Sequence, residues 1–364
     1  MMKNFFKLLI IVSLAWSVNL FSASNIDSVK VLGNVSNLGP QSRAWLSAPY
    51  TDIVLYPLYT REEGNETFAK KARVKAVYDG ENISFLLEWS KHSKNKIDDN
   101  SSLKLNGFSV KFPLVFNDLA KLPYIDMGDA EHGLKGYSYK LYQQSLDTNV
   151  SDENLSQNIL TTQEKEVFIA KGVNAVKTIN SDKAYMELLT ENGKFKGTLS
   201  KKLHDADLDL SKGVFPLSFV VNEKKLKYSS PWIMVALEDK NKESNVQAFN
   251  ENVEGDVPNG EKLALENCAG CHRYNTIKTA PVSMSPNLSN VGGYSTSEYL
   301  RESIIDPSAV IVSGYKNNTY SNFDWFVLDL NGKKTSIMPT FNWLDEKSIN
   351  DLVAFMKTLK DNSK

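Results

Sequence analysis

Most of the chain before residue 250 alternates apolar and polar residues with a period of two. Val74, Ala76 and Tyr78 fall on one face of a predicted strand. The turn-forming segment 79–82 follows, and the alternation resumes over residues 83–89. This pattern predicts a β-hairpin.

Further segments of the same kind follow along the chain. Alternation returns at residues 108–112 and 167–169, and residues 231–237 form a short apolar run between turn-forming residues. Many short strands separated by Gly, Asn and Asp turns are typical of an antiparallel sandwich or barrel. We therefore predict an all-β antiparallel sandwich over residues 25–250.

The pattern becomes helical towards the C-terminus. Residues 241–259 are polar and lack apolar periodicity, which predicts a linker, placed at residues 251–258. Apolar residues then fall at i, i+3, i+4 and i+7 behind a candidate N-cap at Asp345, namely Ile349, Leu352, Val353 and Met356. This spacing predicts an amphipathic helix, and we expect an all-α domain over residues 259–364.

The first 24 residues differ from both regions. Lys3 and Lys7 precede an apolar run over residues 8–18, and small residues follow at positions 22–24. This arrangement is typical of a secretory signal peptide, so we assign residues 1–24 to one and predict a periplasmic protein. The run is shorter than the roughly 20 apolar residues that span a membrane. An uncleaved anchor is the alternative.

Composition narrows the choice of partners. The chain has 364 residues, enough for two domains, with 41% hydrophobic and 23% charged residues and a formal net charge of -1. This near-neutral charge predicts no nucleic-acid partner and no binding to anionic membranes. The two cysteines, Cys268 and Cys271, lie close together, whereas disulfides of secreted proteins link distant segments. The pair is therefore expected to serve a local function.

The cysteines belong to a Cys-x-x-Cys-His motif that ends at His272. Thiols one helical turn apart can each bond a vinyl-derived carbon of a porphyrin, which places the next residue beneath the iron. The motif predicts a covalent haem c held by Cys268 and Cys271, with His272 as the proximal iron ligand. The alternative is a thioredoxin-like redox pair followed by an unrelated histidine.

A second iron ligand is expected from a methionine further along the chain. Met338 precedes Pro339 and lies shortly before the last predicted helix. Thioether ligation raises the reduction potential and closes the iron to substrates, which argues against peroxidase-like catalysis. Met284 is too close to His272 in sequence, and Met356 lies on the apolar helix face. Met338 as a filler of the core is the alternative.

The C-terminal segment carries further motifs in a fixed order. A first helix leads into Cys268–His272, followed by 286–293 (Pro-Asn-Leu-Ser-Asn-Val-Gly-Gly), 297–304 (Ser-Glu-Tyr-Leu-Arg-Glu-Ser-Ile), Met338-Pro339 and a closing helix. In this order the segment resembles class I, monohaem cytochromes c. The resemblance implies the all-α fold of that class. It also implies that a carbonyl near Pro281 or Pro286 accepts a hydrogen bond from the His272 ring.

The predicted sandwich has no motif that indicates chemistry. Its histidines, His92, His132 and His204, lack the spacing of a metal site. The sequence also lacks a nucleophile motif and a glycine-rich phosphate loop. The residues alone therefore predict a β-rich domain of unknown ligand.

Several sandwich segments nevertheless follow a familiar order: Trp45, 54–57 (Val-Leu-Tyr-Pro), 74–89, 108–113 (Phe-Ser-Val-Lys-Phe-Pro), 124–129 (Tyr-Ile-Asp-Met-Gly-Asp), 170–172 and 231–237. Together they are similar to the haem b-binding γ subunit of the ethylbenzene dehydrogenase group, in the dimethyl sulfoxide reductase family of periplasmic molybdenum enzymes. The resemblance implies a sandwich that holds haem b non-covalently between a methionine and a lysine. Met127 matches the methionine, and Lys242 or Lys240 is the candidate lysine. Otherwise His132 binds the haem, or the domain holds none.

These expectations describe a periplasmic electron-transfer cytochrome with one haem c and one haem b. It would relay electrons to or from a molybdenum oxidoreductase or a quinol oxidoreductase of a respiratory chain, and would catalyse no bond chemistry itself. A short flexible tether raises the effective concentration of the second haem to roughly millimolar. The alternative is a monohaem cytochrome c whose haem-free sandwich is a binding or docking module, because a fold alone does not determine function.

Overall fold

The computed structural model describes residues 25–58, 68–91, 103–117, 121–145, 159–173, 175–224, 226–238, 253–275, 277, 279–280, 285–312 and 325–361. Some residues named above lie outside these ranges: the predicted signal peptide 1–24, His92, Lys240, Lys242, Pro281 and Met284. The signal peptide and the candidate haem b lysine therefore stay predictions.

Strands form most of the described N-terminal region, which also includes a 3-10 turn at Arg43–Ser47. The strands in its described part are β1 (Ile26–Lys30), β2 (Thr51–Pro57), β3 (Lys70–Tyr78), β4 (Asn82–Ser90), β5 (Leu103–Pro113), β6 (Leu134–Ser145), β7 (Ile159–Ala170), β8 (Val176–Thr178), β9 (Tyr185–Glu191), β10 (Lys194–Lys202), β11 (Val214–Lys224), β12 (Leu226–Ser229) and β13 (Ile233–Leu237).

The strands form two layers around one hydrophobic core. Pairing follows the order β8-β7-β6-β5-β11-β12-β2-β3-β4-β10-β9, and β1 and β13 bridge β3 to β11. The ring centroid of Phe85 on β4 lies 6.3 Å from that of Phe112 on β5 and 6.1 Å from that of Phe219 on β11. Aromatic side chains of the two layers therefore interdigitate. The predicted all-β sandwich is confirmed.

One strand departs from the predicted antiparallel pattern. Strand β1 pairs in parallel with both β3 and β13. A tight hairpin turn forces antiparallel pairing, whereas long segments of chain connect β1 to these two partners and permit the parallel arrangement.

The predicted hairpin is present as β3 and β4. The strands pair antiparallel, with Tyr78 opposite Ile83. In the turn, Asp79 Oδ1 accepts hydrogen bonds from the backbone N–H groups of Glu81 and Asn82 at 2.9 and 2.7 Å. Gly80 has a φ of 101°, a backbone conformation that favours glycine. Local turn chemistry therefore determines the register of this pair.

The described C-terminal region contains four helices and a short hairpin: α1 (Val257–Asn267), α2 (Val291–Tyr294), α3 (Ser297–Ile305), β14 (Phe326–Leu328), β15 (Lys334–Ser336) and α4 (Glu346–Thr358). The hairpin adds a small β element to a domain that was predicted to be all-α. It forms because Asp329 Oδ1 accepts hydrogen bonds from the N–H groups of Asn331 and Lys333, both at 2.8 Å.

Aspartate caps begin the two long helices. Asp345 Oδ1 accepts a hydrogen bond from the Ser348 N–H at 2.7 Å, as predicted for α4. Asp256 Oδ1 accepts one from the Asn259 N–H at 3.2 Å. Helix α1 therefore begins within the segment 251–258 that the sequence pattern assigned to the linker, because the capping signal lies inside that polar stretch.

The sandwich and the helical region share one apolar cluster. Its sandwich members are Tyr56, Leu58, Leu122, Tyr124, Ile125 and Trp232. A Cβ atom on Gly293 of α2 would lie 2.5 Å from the Tyr56 ring, so glycine allows the close approach. The Ala69 N–H donates a hydrogen bond to Asp361 Oδ2 at 2.7 Å. The two regions therefore pack into a continuous unit.

Candidate functional site

The Cys-x-x-Cys-His segment continues the backbone of α1 through one further turn. The Cys268 N–H donates to the Ala264 carbonyl at 2.8 Å, and the His272 N–H donates to the Cys268 carbonyl at 2.8 Å. Cys268 is buried and Cys271 is exposed. The helical turn thus brings the two thiols and the imidazole to one face of the domain.

His272 is held by its Nδ1 atom. Nδ1 lies 2.8 Å from the carbonyl oxygen of Pro286 and 3.1 Å from Ser285 Oγ. Of the two carbonyls considered from the sequence, Pro286 is therefore the acceptor in the structure. Burial lowers the pKa of His272 below its ordinary value, which favours the neutral imidazole. When Nδ1 donates a hydrogen bond to the Pro286 carbonyl, Nε2 carries no proton and its lone pair is available to a metal.

The thiols, the imidazole and a thioether line one cavity, which we call the haem cavity. Cys268, Cys271, His272 and Met338 belong to its wall, and it encloses about 1290 Å³ of empty space, including the part open to solvent. Apolar side chains make up much of the remaining wall, among them Val291, Leu300, Ile304, Val310, Val312 and Phe341. Such a wall excludes water from a flat apolar ring and leaves few groups to orient it.

Met338 is positioned by the hairpin β14–β15 and the loop after it. The Met338 N–H donates to Ser336 Oγ at 3.1 Å, and the Ile337 N–H donates to the Trp325 carbonyl at 3.3 Å. The Ser336 N–H in turn donates to Ser308 Oγ at 3.2 Å. These bonds tie the methionine loop to the segment after α3, and they place Met338 in the same cavity as His272.

The Cys268 thiol lacks the properties of a redox-active nucleophile. Burial, together with the neighbouring Cys271 thiol, raises its pKa to about 11. Thioredoxin-like pairs instead have a lowered thiol pKa, because the thiolate is the reactive form. The environment of Cys268 therefore argues against the thioredoxin-like alternative.

Residues 257–360 match the family model described as Cytochrome c. This chain contains a cytochrome c domain. Most of the wall of the haem cavity belongs to that domain, and its thiols, neutral buried imidazole and thioether fit a covalent haem c. No curated protein matches the chain.

Among solved structures, the chain is similar to carbohydrate-binding proteins. One is a carbohydrate binding module family 9 from Caldicellulosiruptor kristjanssonii in complex with glucose, at 10% identity over 61% of this chain and 100% of that chain, with a TM-score of 0.31. Another is a putative carbohydrate-binding protein from Bacteroides uniformis, at 9% identity over 60% of this chain and 100% of that chain, with a TM-score of 0.31.

The candidate haem b methionine lies outside the haem cavity. The half-buried Met127 packs against an apolar cluster formed by Leu134, Phe168 and Ala170. Its carbonyl accepts a hydrogen bond from the Gly172 N–H at 2.8 Å. This contact set is that of a packing residue, and the resemblance of the sandwich to haem b-binding subunits stays a prediction.

The described histidines of the sandwich have local partners. His132 Nδ1 lies 3.0 Å from Asp129 Oδ1, and the exposed His204 lies 3.6 Å from Asp209. Within the described ranges, no cluster of three or more His, Cys, Asp or Glu residues could hold a metal ion. The sandwich therefore has no metal site built from these side chains in its described part.

The sequence reasoning missed Tyr124 as a residue of the haem cavity. This tyrosine belongs to the sandwich and is only 3% exposed, yet it lines the cavity. Its ring stacks on that of Tyr299 in α3, with 4.5 Å between centroids. Tyr124 lies in the segment 124–129 that resembles the haem b-binding family, and no local sequence signal pairs it with α3.

Proposed function

We propose that this protein is a one-electron carrier with a single covalent haem c, and that its sandwich is a haem-free docking module. One observation carries the proposal: two cysteines, a neutral buried histidine and a methionine of the cytochrome c domain line a single, largely apolar cavity. These are the attachment and ligand groups of haem c, in the order in which cytochromes use them.

Each residue has a separate task in this proposal. Cys268 and Cys271 would attach the porphyrin, and His272, through Nε2, and Met338, through its sulfur, would hold the iron. When bound, haem c supplies a one-electron couple between ferric and ferrous iron. The hydrogen bond from His272 to Pro286 orients the imidazole, and the apolar wall keeps water away. With Met338 as a ligand the iron would have no open position for substrate, which favours electron transfer over catalysis.

Packing in the sandwich supports the haem-free alternative over a second haem. The side chain of Met127 is occupied by contacts with Leu134, Phe168 and Ala170, whereas an iron ligand needs a free sulfur facing a cavity. The sequence-based prediction of a second cofactor, a haem b bound by Met127 and Lys242, stays a prediction and is the alternative to this proposal.

We further propose a location outside the cytoplasm, in the periplasm, with redox proteins as partners. Attachment of c-type haem is an extracytoplasmic process, which agrees with a signal peptide over residues 1–24. In the described part of the chain the longest helix has 13 residues, and none is long and apolar enough to span a bilayer. A molybdenum oxidoreductase or a quinol oxidoreductase is the partner class we favour.

A haem count on protein purified from the periplasm tests the proposal. We expect one iron porphyrin per chain, none of it extracted by acidified acetone, because thioether bonds survive that treatment. Two haems, one of them extractable and lost in Met127→Ala, would overturn the haem-free sandwich in favour of a relay. Absence of any non-extractable haem would overturn the assignment of the haem cavity itself.

A further inference from the structure

The hydroxyl of Tyr124 is a buried donor without a partner among the described residues. The side chain is 3% exposed, and its Oη atom makes no hydrogen bond there. A buried polar group of this kind destabilises the fold unless a partner satisfies it. Because Tyr124 lines the haem cavity, the natural partner is a polar group of the molecule that fills the cavity.

The loop that carries Tyr124 is anchored in the sandwich. Trp232 Nε1 donates to the Pro123 carbonyl at 3.0 Å, and the buried Lys111 Nζ donates to the Ile125 carbonyl at 3.3 Å. These two bonds flank Tyr124 on both sides. The tyrosine is therefore held in place by the sandwich, whether or not the cavity is filled.

An ionic triad adjoins the segment that carries Tyr124. It is formed by Lys111, Asp126 and Lys227. Lys111 Nζ lies 3.2 Å from Asp126 Oδ1, and both side chains are 3% exposed. Lys227 also contacts Asp126 and is 34% exposed. Two lysines face one carboxylate, so within the triad one positive charge is left unbalanced.

The triad is within electrostatic reach of the cavity wall. Burial, and after it the charges of neighbouring groups that include Asp126, raises the pKa values of Tyr294 and Tyr299. Both tyrosines line the haem cavity. Asp126 is the triad member that acts on these rings, and both lysines pair with it. Lys111 Nζ also lies 3.3 Å from the Ile125 carbonyl, next to Tyr124. A negative group bound beside Tyr124 would therefore be attracted by the unbalanced positive charge of the triad.

Haem c has two ends of opposite character. Its vinyl-derived edge is bonded to the cysteines, and two propionate carboxylates lie on the opposite edge. In an apolar cavity these carboxylates need hydrogen-bond donors and positive charge. We propose that the Tyr124 hydroxyl donates a hydrogen bond to a haem propionate and that the Lys111–Asp126–Lys227 triad supplies the compensating charge. The sandwich then completes the haem site of the other domain.

The inference rests on the proposed haem c function, and Tyr124→Phe in the full holoprotein tests it. The substitution keeps the ring that stacks on Tyr299 and removes only the hydroxyl. A donor to the propionate stabilises the more negative, reduced haem, so the variant should have a lower reduction potential. The propionate bending band in the resonance Raman spectrum should shift as well.

The matched control is Tyr228→Phe. Tyr228 belongs to the same domain and is fully buried, at 0% exposed, but it is not part of the cavity wall. We expect its potential and propionate band to equal those of the unchanged protein. An equal shift in both variants, or no shift in Tyr124→Phe, would overturn the inference.

A second pair of variants tests the triad. Lys227→Gln removes one positive charge at a partly exposed position, and the potential should fall. Lys140→Gln removes a lysine that is 27% exposed and pairs with Glu166 in the sandwich, and the potential should stay constant. If haem is attached but its reduction potential is unchanged in both Tyr124→Phe and Lys227→Gln, the inference is refuted and the proposed function still stands. Failure to attach any haem refutes the proposed function.

Discussion

The haem cavity has two walls that come from different domains. The cytochrome c wall contributes Cys268, His272 and Met338, which we propose bond directly to the porphyrin or its iron. The sandwich wall contributes Tyr124, whose hydroxyl we propose donates to a haem propionate, together with the neighbouring Lys111–Asp126–Lys227 triad. In this proposal the first wall determines which cofactor binds and whether its iron is open. The second can act only through hydrogen bonding and charge, which adjust the potential of that cofactor.

A second ionic cluster, away from the cavity wall, differs from the triad in its balance of charges. In the sandwich, Lys135 contacts three carboxylates, those of Asp182, Asp205 and Asp207, and Lys201 contacts Asp205. Carboxylates outnumber lysines there, so the lysines are fully compensated within the cluster. Such an arrangement holds strands together. The triad is short of negative charge, and it is the one that adjoins the segment of a haem-cavity residue.

Loss of the methionine ligand should have the largest effect on the first wall. In Met338→Ala we expect a fall in reduction potential that is a substantial part of the roughly 0.8 V range set by axial ligands. The iron should also bind carbon monoxide in the reduced state. The measurements are redox titration and the absorption spectrum with and without the gas.

Met356→Leu is the control for that change. Met356 also lines the cavity but is buried on α4, so a swap of similar volume should cost less than about 1.5 kcal/mol and leave the spectrum unchanged. If Met338→Ala kept the spectrum and Met356→Leu lost it, the ligand assignment would be reversed.

Removal of one lysine from each ionic cluster should distinguish a role in folding stability from a role in the reduction potential of the haem. Lys135→Met leaves three carboxylates around a side chain position that is 1% exposed, and we expect a loss of about 3 kcal/mol in the free energy of unfolding. The reduction potential of the haem should be unchanged in this variant. Lys111→Met should cost less, because Asp126 retains Lys227, but it should lower the potential. Urea unfolding and redox titration of both variants make the comparison, and a potential shift in Lys135→Met alone would contradict it.

Titration of Lys111 should change the free energy of unfolding by less than the substitutions above. Burial lowers the pKa of Lys111 to about 8, against its ordinary value of 10.5, although the charge of Asp126 opposes the shift. Between these two pH values the folded protein has lost this proton and the unfolded chain still holds it. The contribution of Lys111 to the free energy of unfolding therefore increases with pH between about 8 and 10.5.

The same titration should be visible at the haem. As pH rises through about 8, Lys111 loses its positive charge next to the segment that carries Tyr124, and the reduction potential should fall. We expect a potentiometric titration to show this step in the unchanged protein and not in Lys111→Met. A step that persists in the variant would assign the proton to another group.

Some of this structure could be read from local sequence. The turn at Asp79 and Gly80, the cap at Asp345 and the helical turn from Cys268 to His272 each depend on residues within a few positions of one another. Backbone hydrogen bonds and allowed dihedral angles decide such features over one turn. The sequence therefore determined the hairpin, the closing helix and the haem attachment motif.

The tertiary structure alone decided which distant residues meet. Pro286 was one of two candidate partners for His272, and no spacing rule links Tyr124 to Tyr299 or Lys111 to Lys227. Such contacts depend on how whole layers pack, and apolar burial that drives packing is not directional. For the same reason Met127 could match a family pattern in the sequence while its side chain packs against Phe168. Attachment chemistry is local in this chain, and the second wall of its cavity is a product of the fold.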